Sequence, residues 1–361
     1  MKKKLFIIQY DTFANTLIPV IEELYKRGHE CDIVLLKRSF YKKNWISDHI
    51  LNLFKIIKKN INIFQILNRR NTLKLIKKNK YNTIIIGTTR TRFIEKIYNY
   101  LKNNNLKSKL VSGYVGALLN NNYLGFIKGL KRRSFCDLIW TPGIISKKKI
   151  ESLKIINEDK TKIVATGLPR FDELFKISNS IKLNDKKNIL FFEQPTFPQT
   201  KKERQELVLK LIKLAKINQD CDVIIKPRFS QKIGHAHSPK YLLQDILLSI
   251  EDKPKNIKIS NQGIYKLFEE CKLALTISST AGLESLLIQI PTLFINDFCG
   301  DNNKYGSHDF KNINATITFN DLFKKNIPTI NYEIVNEIIR FDGQNTNRLT
   351  EEIILLDNKN E

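Results

Sequence analysis

The sequence predicts an α/β protein made of two Rossmann-like, doubly wound domains. Short apolar runs of strand length alternate with helical periodicity along most of the chain, the pattern of parallel sheets covered on both faces. At 361 residues the chain exceeds the usual size of a single core. A polar stretch at 175–187, FKISNSIKLNDKK, separates two such series. Hydrophobic residues at 42% and aromatics at 10% supply enough apolar surface for both cores.

The first series opens with LFIIQ, an amphipathic helix TLIPVIEELYKRGHE stopped at Gly28, and CDIVLL, which together make a βαβ unit. The leading MKKKLFIIQYD imitates a secretory leader, but its apolar run breaks at Gln9 and Asp11 and suits a buried strand better. Residues 41–80 mix apolar residues at helical spacing with dense Lys and Arg, so helices with a basic face are expected. That face suits an anionic membrane surface, with Trp45 and Phe54 as interfacial anchors, or is an ordinary solvated face enriched in Lys. NTIIIGTT (82–89), KLVSGY (109–114) and DLIWTPG (137–143) read as further strands, and KIVATGLPRFDEL (162–174) closes the series.

The second series runs NILFFEQP (188–195), a helix over 201–217, DVIIKPRF (222–229), NIKIS (256–260), the helix GIYKLFEECK, the strand LALTIS, the helix AGLESLLIQ and the strand PTLFIND. The expected boundaries are therefore 1–175, a linker at 176–187, 188–330, and two closing helices over 331–361 that pack back on the first domain.

The formal charge is +25, from 61 basic against 36 acidic residues, which favours anionic partners unless it reflects an AT-rich coding sequence. Nucleic acid is not expected as a partner, because no binding motif interleaves the charges with exposed aromatics. Five scattered cysteines, Cys31, Cys136, Cys221, Cys271 and Cys299, form no C-x-x-C pair, which argues against zinc and suits a reducing cytoplasm. No apolar run is long enough to span a bilayer.

The chemistry concentrates in KLALTISSTAGLESLLIQIPTLFI, residues 272–295. Ser278, Ser279 and Thr280 fall between a strand and a helix start, where backbone N–H groups, the helix dipole and hydroxyls suit a phosphate. A plain helix cap is the alternative. Gly282 admits a ligand or a neighbouring strand. Glu284 either reaches a ribose hydroxyl or is a favourable first-turn acid. Lys226 and Arg228, at the end of VIIKPRF, add two cations suited to a diphosphate or phosphate ester.

TGLPRFDEL, ILFFEQPTFPQTKKERQ, IIKPRF with HAHSPKY, and ISSTAGLESLLIQIPTLFINDF together resemble the carboxyl-terminal half of bacterial GT-B glycosyltransferases. The similarity is greatest to transferases of sialic-acid-type and capsule biosynthesis. It implies two Rossmann-like domains facing each other across a cleft, acceptor bound by the first and donor nucleotide by the second. TG-x-PR-x-D is shared with glycerophosphate transferases of wall polymers, so CDP-glycerol-type transfer is an alternative. Sialyltransferases of this fold carry a His-Pro pair after the strand matching VIIKPRF, and a Ser-Ser/Thr pair that holds the CMP phosphate. Ser278 and Ser279 match the second element. Lys226-Pro227-Arg228 stands in place of the first, with His235 and His237 beyond it. His237 is thus the candidate phosphate ligand or leaving-group acid, a surface loop histidine being the alternative.

The implied reaction is inverting and metal-independent. The sole D-x-D, Asp220-Cys221-Asp222, precedes a strand and reads as a solvated loop. A base is needed for the acceptor hydroxyl, and Asp11, just after the first strand, is the candidate; helix capping is its alternative. Asp137 and Glu193 are weaker ones. Thr88, Thr89, Arg90, Ser112, Gly113 and Tyr114 share the same expected rim, and Gly113 and Gly116 would let acceptor or donor sugar approach the backbone. The donor expected is a nucleotide sugar, CMP-linked nonulosonate before UDP-linked sugar, with no cofactor. The acceptor is a cell-surface glycan or glycolipid such as lipooligosaccharide, capsule or O-antigen. The expected location is cytoplasmic, with attachment to the inner face of the membrane if the basic face binds lipid.

Overall fold

The structure, a computed structural model, describes residues 2–37, 47–57, 63–117, 123–179, 187–194, 197–228, 241–298 and 307–358. The elements begin β1 (Lys3–Ile8), α1 (Asp11–Lys26), β2 (Glu30–Leu36), α2 (Asp48–Ile57), β3 (Ile63–Leu67), α3 (Arg69–Asn79), β4 (Thr83–Gly87), α4 (Arg92–Asn103) and β5 (Lys109–Gly113). They continue with α5 (Tyr123–Arg133), β6 (Leu138–Thr141), α6 (Ile144–Ser152), β7 (Lys162–Ala165) and α7 (Phe171–Ser178). Next come β8 (Asn188–Phe192), α8 (Lys201–Ile217), β9 (Val223–Lys226), α9 (Leu243–Leu248), β10 (Ile257–Ile259), α10 (Ile264–Glu269) and β11 (Cys271–Thr276). The last are α11 (Thr280–Leu287), β12 (Thr292–Ile295), β13 (Thr316–Ile317), α12 (Phe319–Phe323), α13 (Tyr332–Ile338) and α14 (Asn345–Asn358).

The chain divides into two compact units. The first comprises Met1–Leu118, Asn122–Glu173 and Glu337–Glu361; the second comprises Leu119–Asn121 and Leu174–Asn336. The fold class is α/β with two Rossmann-like parallel sheets, the GT-B class.

In the first unit seven parallel strands lie in the order β3-β2-β1-β4-β5-β6-β7. The central strands are apolar throughout, as they must be when helices cover both faces. One face packs Phe13, Leu17 and Val20 of α1 with Leu349 and Ile353 of α14; the other packs Phe93 and Ile97 of α4 with Leu130 of α5.

One strand of the first unit, like the short β13 of the second, departs from expectation. Residues 63–67, inside the stretch read as basic helices, pair with β2 as the edge strand β3. Phe54 is also not an interfacial anchor: it is fully buried on α2, its ring 5.6 Å from that of Phe64. Trp45 lies outside the described residues.

The TGLPRFD segment anchors α14. Asp172 caps the helix, its two carboxylate oxygens accepting from Asn345 N at 3.0 Å and Thr346 N at 2.7 Å. Gly167, at φ +79°, lies so close to Asn345 and Arg340 that a side chain would collide with both. At the other end of the helix Asp357 meets the fully buried Lys4 at 2.8 Å and accepts from Thr83 Oγ1 at 2.5 Å. Lys4 Nζ also lies 3.1 Å from His29 Nδ1.

The second unit has six parallel strands in the order β10-β9-β8-β11-β12-β13. Its longest helix, α8, starts on a capping box in which Thr200 Oγ1 accepts from Glu203 N and Glu203 accepts from Thr200 N. Leu207, Leu211 and Leu214 of α8 then line the core against β8, β9 and β11.

Candidate functional site

Both sheets reverse strand order beside their first strand: β1 lies between β2 and β4, and β8 lies between β9 and β11. The crevice outside the carboxyl ends of those strands is where open α/β sheets bind ligands.

In the second unit that crevice lies between the segment after β8 and the turn into α11. Thr276, the last residue of β11, donates through Oγ1 to Phe192 O at 2.9 Å and accepts from Ser279 N at 3.2 Å. This fixes the bend. Ser279 caps α11, its Oγ accepting from Ala281 N at 3.3 Å. Ser278 Oγ lies 3.5 Å from Gln194 Nε2, at the limit of hydrogen bonding, and Thr280 is exposed on the first turn. Glu284 follows one turn later, partly buried.

At the end of β9 stands Lys226. Its ammonium is half-buried, and among the described residues it has no carboxylate partner, donating to Pro227 O at 3.3 Å. Burial without a counter-ion lowers its pKa from the ordinary lysine value. Arg228 is exposed two residues on. A cation and a capped helix N-terminus thus flank β8 from both neighbouring strands, an arrangement suited to an anion.

Two expectations change here. Of the two readings of Gly282 the neighbouring strand holds and the ligand does not: a Cβ there would fall 2.9 Å from Phe294 and from Thr276, so its smallness seats α11 on the sheet. Glu193 is not a free base. It is buried, and Arg204 Nη1 donates to its Oε1 at 2.7 Å. Burial raises its pKa, while Arg204 and the backbone N–H groups of Leu243 and Arg228 pull the other way. Asp220 and Asp222 form lysine pairs, with Lys272 at 3.6 Å and Lys258 at 2.5 Å. His235 and His237 lie outside the described residues.

Arg204 is a residue that sequence reasoning missed. From a buried position on α8 it donates to Pro198 O at 2.9 Å and Gln194 O at 3.1 Å as well as to Glu193, and so holds the segment bearing Gln194 against the sheet. Within KKERQELVLK it looks like one more solvated charge.

In the first unit a buried side-chain hydrogen bond crosses the corresponding crevice. Thr88 is buried and donates to Gln9 Oε1, while accepting from Arg90 N at 2.9 Å. Asp11 Oδ1 accepts from Ser47 N at 2.9 Å, just before α2. Ser112 is buried, donating to Ile86 O. Gly113 offers no approach to a sugar, since a Cβ there would overlap the Trp140 ring at 2.2 Å. Gly116 has open space around it. Tyr114 stacks on Arg133, guanidinium carbon 4.2 Å from the ring centre; burial raises its hydroxyl pKa while Arg133 lowers it. Asp137 precedes β6 at the opposite, amino end of the sheet, paired with Lys109 at 3.0 Å and bonded to Leu110 N at 2.8 Å. It is not a base at this rim.

Comparison with solved structures places the fold in known company. UDP-GlcNAc 2-epimerase from Neisseria meningitidis, bound to UDP-GlcNAc, superposes with a TM-score of 0.65 at 14% identity, covering 98% of this chain and 100% of that one. The wall teichoic acid polymerase TagF gives 0.60 at 13% identity, over 99% and 90% of the two chains. Anabaena Alr3699/HepE, in complex with UDP and glucose, gives 0.51 at 11%, over 99% and 98%. No curated protein matches the chain in sequence. No helix among the described residues is long and apolar enough to cross a membrane. Residues 57–337, most of the chain and the whole crevice of the second unit, match the family described as "Putative glycosyltransferase (DUF6716)", and the chain belongs to that family.

Proposed function

We propose that the chain transfers a sugar from a nucleotide donor held at the crevice of the second unit. The observation that carries this reading is Lys226, a half-buried ammonium with no carboxylate partner among the described residues, in the same rim as the Ser279-capped start of α11. As the glycosidic bond to the leaving phosphate breaks, negative charge grows on that phosphate. A desolvated cation and a helix N-terminus stabilise this charge without reorganising. Ser278 and Thr280 supply hydroxyl donors, Arg228 adds a second cation, and Glu284 takes a ribose hydroxyl. His237 is assigned to the leaving group as ligand or acid. Asp11 is assigned as base in an inverting, metal-independent transfer: Ser47 N–H orients one carboxylate oxygen and the other takes the acceptor proton.

The donor favoured is a CMP-linked nonulosonate, whose single departing phosphate Lys226, Arg228 and the start of α11 can hold without a metal. The second reading, a UDP-linked sugar, is supported by the UDP compounds bound in the solved structures of similar fold. The acceptor is read as a cell-surface glycan or glycolipid, with the protein at the cytoplasmic side of the membrane. A thermal-shift panel of CMP, CDP, UDP and GDP tests this. Stabilisation by CMP alone supports the first donor, and by UDP the second; a response to CDP only, with turnover of CDP-glycerol, replaces sugar transfer by glycerophosphate transfer. No response to any of the four removes the reading.

A further inference from the structure

The first unit buries a cation that its described residues leave without a carboxylate partner. Arg133, at the end of α5, is 5% exposed. Its Nη2 donates to Thr88 O at 3.4 Å and Gly113 O at 3.3 Å, both long contacts, and its buried Nε–H has no acceptor among the described residues. Among the described residues no carboxylate pairs with it, and the adjoining sequence 118–122, LLNNN, contains no acid. The nearby Glu95 is engaged by Arg132 instead, at 3.6 Å.

This position is built. Gly129, one turn earlier on α5, leaves room for Nη1, which would stand 3.3 Å from a Cβ there. That lets the guanidinium fold back over the ends of β4 and β5. Tyr114 covers one side of it, and the Tyr114 hydroxyl is itself buried, with no partner among the described residues other than the guanidinium beside it. Beyond Tyr114, Gly116 faces open space. Along the same rim Arg69 stands near enough to Arg90 for the two charges to repel. A lone buried cation is costly, and two weak carbonyl contacts with one aromatic face offset only part of that cost. The remaining donors, a guanidinium N–H and a phenol O–H, match the oxygens of a carboxylate or phosphate.

We propose that Arg133 and Tyr114 receive an anionic group, carboxylate or phosphate, of the acceptor, so that this enzyme glycosylates an acidic acceptor. Calling the ligand the acceptor rests on the transferase reading above; the anion site itself does not.

Ligand-detected NMR titrations of the full chain with glucuronate, glucose 1-phosphate and glucose test the site, with CMP and UDP titrated alongside. At least one of the two acids is expected to bind about ten-fold more tightly than glucose, an Arg-anion contact being worth more than a neutral one. Which acid wins separates carboxylate from phosphate. Arg133→Met is expected to bring that acid down to the level of glucose. Arg133→Lys, which keeps the charge and guards against a folding failure, should weaken it several-fold, and Tyr114→Phe less, with nucleotide titrations unmoved in all three. Equal binding of all three sugars by the wild type, or acid binding unchanged in Arg133→Lys, overturns the proposal. Acid binding that persists where no nucleotide binds sustains this site and removes the transferase reading.

Discussion

The two units repeat one topology but finish it differently at the reversal of strand order. In the first, Gln9 after β1 meets Thr88 after β4 in a buried hydrogen bond that crosses the crevice. In the second, Gln194 and Ser278 hold equivalent places after β8 and β11, yet their side chains stand 3.5 Å apart and partly exposed. Backbone rigidity does not cause the difference, since Thr276 and Arg204 pin the second crevice at least as firmly. What differs is satisfaction: among the described residues the first crevice pairs its buried hydroxyl with an amide, and the second holds an ammonium with no carboxylate partner beside hydroxyls that make only long contacts. A shared fold therefore does not mean a shared site, and the anion demand of the first unit has moved sideways to Arg133.

Four experiments break or sharpen this contrast. Both tryptophans, Trp45 and Trp140, belong to the first unit, so fluorescence reports that unit while circular dichroism reports both. The largest effect is expected from Glu193→Ala, which strands Arg204 in the core and costs the second unit about 3–5 kcal/mol. The dichroism transition should split, with the fluorescence transition unmoved. Lys226→Ala should weaken nucleotide binding about 10- to 100-fold, the scale of one charged hydrogen bond, and leave both transitions in place. Thr88→Val, in the first crevice, should do the converse: about 1–3 kcal/mol lost from the fluorescence transition, because Gln9 is left unsatisfied, with nucleotide affinity unchanged.

The smallest effect concerns His29. Its pKa is lowered by burial, then by Lys4, against an opposing pull from Asp357, with Arg27 and Lys2 also lowering it. The unfolded chain therefore takes up a proton that the folded one resists. The stability this gives is complete above about pH 6.5 and is lost as pH falls below it. His29→Gln should flatten the acid limb of the fluorescence-detected stability profile by at most about 1.4 kcal/mol per pH unit. An unchanged profile would show that the Lys4 cluster does not sense that proton.

Most of the architecture was legible because buried parallel strands are written as unbroken apolar runs: LFII, IVLL, TIII, ILFF and TLFI all became strands. β3 was not legible. It lies at a sheet edge, with Gln65 and Ile66 exposed, so its five residues carry no run and merge into the Lys-rich periodicity around them. At the site, composition pointed to the right turn, Ser278 to Thr280, but could not separate a glycine that admits a ligand from one that admits an aromatic ring. Gly113 and Gly282 are both of the second kind. Buried arginines were also hidden, because Arg133 and Arg204 sit among surface lysines in KRR and KKERQ and only packing sets them apart.

The docking of α14 carries a consequence for synthesis. Lys4 leaves the ribosome long before its counter-ion, Asp357, which follows some 350 positions later. Until then the nascent amino-terminal sheet holds an ammonium that has no other carboxylate partner among the described residues, and the flank of α1 stays bare. The second unit, whose residues are contiguous apart from one short stretch, has no such wait. The later-translated unit is thus free to mature first, and the earlier one must be kept from aggregation until α14 has been made.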